Sequence, residues 1–141
     1  MTATVQLDFQ MGATWRWEFT SGTLVLDGDD NPVIPLTIDQ PDDFTGCTAR
    51  LQVRKNYPLD DGSIPVLMEA TTEDAGIVLG GAAGTVAIVF RDDQTDLLQD
   101  DTGKAIRSGK YDMEVVYPSG DVVRLLEGGW TNDPNVTRDL P

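Results

Sequence analysis

The chain predicts an all-β protein, an antiparallel β-sandwich of immunoglobulin-like or jelly-roll-like kind with one short helix. Three observations lead there. Apolar side chains recur with a period of two in at least five segments. Turn residues separate these segments every 8–12 positions, the spacing of a sandwich or barrel. No segment but one reads with helical period.

The elements follow in order. Val5, Leu7 and Phe9 alternate with Thr4, Gln6 and Asp8. Residues 1–11 therefore read as an N-terminal edge strand or arm. In GATWRWEFT, Trp15, Trp17 and Phe19 oppose Arg16, Glu18 and Thr20. In TGCTARLQVR, Cys47, Ala49, Leu51 and Val53 share one face. Val86, Ile88 and Phe90 share another, and Tyr111, Met113, Val115 and Tyr117 a fifth. Successive strand side chains point to opposite sides of a sheet, so each segment is a half-buried strand. Pro118-Ser119-Gly120 joins 110–117 to 121–127 as a hairpin, with Pro at the second and Gly at the fourth position of a type I turn. RDDQTDLLQD is the helical exception, with Asp92 or Asp93 as its cap and Leu97 and Leu98 packing down. Two proline-bearing loops, about 27–44 and 55–65, read as contact surfaces or as loops ordered by a partner. Residues 131–141 read as a C-terminal tail, and 1–141 as one domain.

Composition narrows the chemistry. The chain has 141 residues with 24 acidic and 10 basic side chains, a net charge of −14. Such a chain repels nucleic acid and acidic membrane surfaces at long range, so neither is an expected partner. No apolar run reaches the roughly 18 residues of a membrane helix. MTATVQLDFQ lacks the basic start and apolar core of a signal peptide, so synthesis in a cytosol is expected. Histidine is absent and Cys47 is the only cysteine. The commonest general base, the commonest zinc ligand and any intrachain disulfide go with them. No cofactor and no catalytic residue is expected. Among the acids, Asp92-Asp93 and Asp100-Asp101 lie in polar surroundings that suit a hydrated carboxylate better than a proton donor.

Two constellations invite a binding reading. Asp27, Asp29 and Asn31 alternate like the first half of a calcium loop, but Pro32 stands where the loop needs glycine and Ile38 where it needs glutamate. They read first as a turn and second as a weak cation site. Trp15 and Trp17 have the spacing of a glycan-stacking face. Their large apolar area argues instead for burial, in the domain's own core or a subunit interface. Trp130 stands apart and reads as interfacial.

GATWRWEFT, DDFTGCTARLQVR, GIVLGGAAGTVAIVF, GKYDMEVVYPSGDVVRLLEGGW and NVTR stand in this order along residues 12–138. In that order they resemble a small β-sandwich family of tailed bacteriophages, found near tail, baseplate and fibre genes and including the N-terminal domain of baseplate upper proteins. Cys47 stands where such relatives carry Tyr, and Phe44 where they carry Leu. The stretch around 28–43 and DDTGKAIRSG are longer than is usual there. The resemblance implies a non-enzymatic virion protein, an adaptor in the tail, baseplate or fibre attachment, with head decoration or a neck position as the alternative. It implies other virion proteins and further copies of itself as partners. A glycan-binding module using Trp15 and Trp17 is the competing class. Interface candidates are Val5, Leu7 and Phe9 in the first strand, Trp130 and Val136 near the end, and Arg50 and Arg54 as sparse cations. The segments 3–9 and 130–137 are the expected sheet edges.

Overall fold

In the computed structural model, which describes residues 2–56 and 62–134, eleven strands and one α-helix follow one another along the chain. Alternation decides which become strands. In β6 (Thr48–Lys55), Ala49, Leu51 and Val53 are buried while Thr48 and Arg50 face water. β9 (Thr85–Phe90) buries Val86, Ile88 and Phe90, and β10 (Ser108–Val116) buries Tyr111, Met113 and Val115. Each buried Val, Leu, Ile, Phe or Met side chain among them contributes about 1.5–3 kcal/mol on leaving water.

One sheet runs β11 (Val122–Asp133), β10, β6 and β7 (Val66–Thr71), all antiparallel. β1 (Ala3–Thr4) and β2 (Leu7–Gln10) then lie end to end beside β11, parallel to it. The second sheet is β3 (Trp15–Thr20), β9 and β8 (Ile77–Leu79). Of the two expected sandwiches, this order is the immunoglobulin-like one. The three-strand sheet matches strands B, E and D, and the larger sheet G, F, C and C′ of a variable-type domain. The parallel pairing of β1 and β2 with β11 departs from a wholly antiparallel arrangement.

The core lies between the sheets. Phe9 of β2 meets Phe90 of β9 edge to face, with ring centroids 5.8 Å apart. The helix α1 (Asp92–Thr95) is a single turn between β9 and β10. Its N-cap is Arg91, not Asp92 or Asp93, because the Gln94 side chain reaches back to accept the Arg91 N–H at 2.9 Å. Thr95 is buried and ties the turn to the β2–β3 connection: its hydroxyl accepts from Gly12 N–H at 3.0 Å and donates to Ala13 O at 2.9 Å. Leu98 packs down as expected, whereas Leu97 is exposed.

The expected hairpin forms. Gly120 N–H donates to Tyr117 O at 2.8 Å, which places Pro118 and Gly120 at the second and fourth turn positions. Two expectations about the C-terminal region are corrected. Residues 131–133 belong to β11 and are not tail, and β11 lies between β10 and the β1–β2 pair, so this segment is no sheet edge. Of the remainder of the expected tail, 135–141 lie outside the described residues, as do 57–61 of the second loop.

Candidate docking surface

The first strand is an edge, as expected: among the described residues β1 and β2 pair only with β11. Its side chains do not form a docking face. Leu7 and Phe9 are buried in the chain's own core and Val5 is half-buried. Burial this deep corrects the reading of Leu7 and Phe9 as interface residues. Period two fixes that 5, 7 and 9 share a face, and that face covers the second sheet. The Tyr111 hydroxyl donates to Val5 O at 2.5 Å and pins the passage between β1 and β2. Burial first, and the charge of Glu127 with it, push the Tyr111 phenol up to about 12.

Trp130 is likewise a core residue and not interfacial. Its indole N–H donates to Arg54 O at 2.7 Å, and its ring lies 6.1 Å from that of Phe9. Val136 lies outside the described residues. The two candidate arginines are held within the chain. Arg50 faces Glu114 across the β6–β10 pair at 3.6 Å. Arg54 donates to Ile64 O at 2.8 Å and to the Gln52 side chain.

Trp15, Trp17 and Phe19 occupy an edge strand of the smaller sheet, each half-buried against the core. Trp17 and Phe19 have centroids 4.5 Å apart, and Trp15 lies edge-on to Phe9 at 5.1 Å. Trp15 also walls an open cleft of about 290 Å³ with Asp8, Gln10, Thr131 and Asp133. Asp8 there is committed. Its carboxylate accepts from the Thr131 hydroxyl at 2.6 Å and from the Gln6 amide at 3.1 Å. Those two donors, Thr131 first, hold its pKa below the usual carboxylate range.

The same holds for the other displaced carboxylates. Thr45 holds Asp43 low, the Gly76 N–H leads in lowering Asp74, and the Thr102 hydroxyl leads in lowering Asp100. A carboxyl that serves as general acid is displaced upward, and these go the other way. The Cys47 thiol is pushed up, by burial first and by the charge of Asp43 second, which disfavours the nucleophilic thiolate.

Asp27, Asp29 and Asn31 do come together, as a turn. One oxygen of Asp27 accepts the N–H groups of Asp29 at 2.8 Å and Asn31 at 3.0 Å, and Asp27 N–H donates to Asn31 O at 2.8 Å. Among the described residues no group of three or more His, Cys, Asp or Glu side chains is placed to hold a metal.

That turn sits in an arm the sequence did not reveal. Among the described residues, β4 (Gly22–Leu24) and β5 (Ile38–Pro41) pair only with each other, as a small sheet of their own. Beyond them Val25 N–H donates to Thr37 O at 2.8 Å, Val33 N–H to Val25 O at 3.1 Å, and Leu26 bridges Pro32. The base is fixed where β3 ends. Ser21 N–H donates to Gly84 O at 2.8 Å, Asp42 N–H to Ser21 O at 2.9 Å, and the Ser21 hydroxyl to the Asp42 carboxylate at 2.6 Å. Phe44 then plugs into the core, its ring 6.5 Å from Tyr117. The arm leaves large apolar side chains in water: Ile34 is 88% exposed, Leu36 65% and Leu26 51%. Their signal in the sequence is three bulky aliphatics among prolines and aspartates with no period to bury them.

No protein-family model matches the chain, and neither does any curated protein. Among solved structures the chain is similar to Tim-1, at 14% identity over 97% of this chain and 98% of that one, with a TM-score of 0.36. At that level the likeness carries no argument.

Proposed function

We propose that this chain is a non-enzymatic structural component of a tailed phage particle, an adaptor in the tail, baseplate or fibre attachment that works through protein–protein contacts. The supporting observation is the arm: large aliphatic side chains stand in water on a hairpin whose base is fixed to a sandwich. Exposed apolar surface of this kind marks contact sites. The five segments that resemble the phage sandwich family supply the class of particle. Head decoration or a neck position uses the same contacts and is the alternative within that class. In this reading the protein is made in the bacterial host and resides in the virion, with other virion proteins and copies of itself as neighbours.

Immunogold labelling of purified particles tests it. Label on particles at a fixed position along the tail is the expected result, and particles free of label overturn the reading. One observation favours a second reading, a glycan-binding module: the half-buried Trp15 ring beside Asp8, Gln10 and Asp133 in an open cleft. Glycan-array binding that Trp15→Ala abolishes while the fold persists would favour that reading.

A further inference from the structure

Among the described residues the sandwich has other exposed aliphatics: Ile64 and Val66 lie two residues apart, Val116 stands opposite Val122 across β10–β11, and Val78 and Leu97 stand on separate segments. None is as exposed as Ile34 or Leu36 of the arm. The arm differs in two respects. It concentrates Leu26, Ile34 and Leu36 within residues 22–41, and Ile34 is 88% exposed. It is also charged with one sign only. Between Trp17 and Ala49 no Lys or Arg occurs, while Asp27, Asp29, Asp30 and Asp39 all belong to the arm. All four are exposed.

We infer that the arm seats its aliphatic side chains in an apolar groove of a different protein, and that this groove is rimmed by Lys and Arg. This rests on the assembly reading and names the chemistry of the neighbour. Charge complementarity selects the occupant. A second copy presents the same excess of 24 acids over 10 basic residues, and like charges brought face to face oppose docking. A cationic rim meets the four aspartates, while buried aliphatic anchors hold the contact once formed. The internal hydrogen bonds of the arm set its shape before contact. Docking therefore orders little backbone.

Photo-crosslinking from position 34 tests the inference. The full chain, carrying p-benzoylphenylalanine in place of Ile34, is produced in its host together with its neighbours and illuminated before lysis. Crosslinked peptides are then sequenced by mass spectrometry. The expected product joins position 34 to an apolar residue of another polypeptide, with Lys or Arg close by. Its yield falls about tenfold when Leu26→Ser and Leu36→Ser are added. It falls about threefold with Asp29→Asn and Asp30→Asn, which leave the Asp27 turn acceptor in place. Each variant is first shown by circular dichroism and thermal melting to keep the parent fold. The same photoprobe at Leu97, outside the arm, sets the background.

Absence of product above that background overturns the inference. So does a product with another copy of this chain, a product on a surface without cations, or a yield that the aspartate variants leave unchanged. The two readings fail separately. Unlabelled particles with the expected crosslink sink the virion assignment alone. Labelled particles without the crosslink sink the arm alone.

Discussion

Trp130 shows how one hydrogen bond settles where a large side chain goes. Its indole can bury completely because the N–H finds Arg54 O at 2.7 Å, so that no polar group is stranded in the core. Trp130→Phe keeps an aromatic ring but removes the donor and part of the volume. It is expected to lower unfolding free energy by about 2 kcal/mol with an unchanged urea slope, measured by equilibrium denaturation. Stability equal to the parent would mean that the ring is not a core ring. The sequence reading put Trp130 at an interface because a tryptophan near a chain end has no partner visible in its own segment. Its partners are Phe9 and the carbonyl of Arg54, and only the fold brings 9, 54 and 130 together. Leu7 and Phe9 were legible as one face for the same reason that they were misread. Alternation says which residues share a side, not whether that side meets water, a neighbour or the second sheet. Arg91 is a subtler case. The Asp side chains suggested the cap, but the Gln94 amide reaching back to the Arg91 N–H defines the start of the turn.

At the scale of elements, the hairpin and the separate strands β6, β9 and β10 were readable because local signals specify them, whereas the pairing of β6 with β10 was not. Pro118 presets the turn and Gly120 closes it with φ of 92°. Nothing lies within 4 Å of where a Cβ on Gly120 would stand. Gly120→Ala therefore costs only backbone strain, about 1 kcal/mol. Gly109, in β10, is the contrasting case, because its backbone is ordinary but its surroundings are not. A Cβ there would lie 2.1 Å from Arg54 O and 2.5 Å from the Trp130 indole nitrogen. Gly109→Ala forces strands or ring apart and is expected to cost about 3 kcal/mol, with loss of Trp130 fluorescence shielding. Equal effects of the two substitutions, in parallel denaturation experiments, would refute this division between strain and crowding. Gly109 carries no sequence signal, since a glycine beside Lys110 looks like a turn until β6 is paired with β10. The arm was illegible for a related reason. Gly22–Leu24 and Ile38–Pro41 pair across a long excursion with a register shift at Thr23/Leu24, and neither half is long enough to show alternation.

For the whole molecule, the net charge of −14 is spread over a sandwich in which three of the ten basic side chains stand in ion pairs among the described residues. Arg50 pairs with Glu114, Arg91 with Asp93, and Arg124 with both Asp112 and Glu127. These pairs are partly exposed and each contributes about 0–1 kcal/mol. The remaining acids repel one another over distances that salt controls. Lowering ionic strength from about 0.15 M to about 0.01 M lengthens the screening distance from about 8 Å to about 30 Å. Repulsion then acts across the whole molecule, while the close pairs gain little because they were only weakly screened. The compact state suffers more than the expanded chain, in which the acids stand further apart. A penalty of about 1 kcal/mol corresponds to a melting temperature about 3–5 °C lower in the dilute buffer for a chain of this size. Thermal melts in a sodium chloride series measure it. A melting temperature that rises on dilution would show that attraction within the close pairs outweighs the repulsion among the unpaired acids. The same series bears on solubility, because the charge that strains an isolated copy also keeps copies apart.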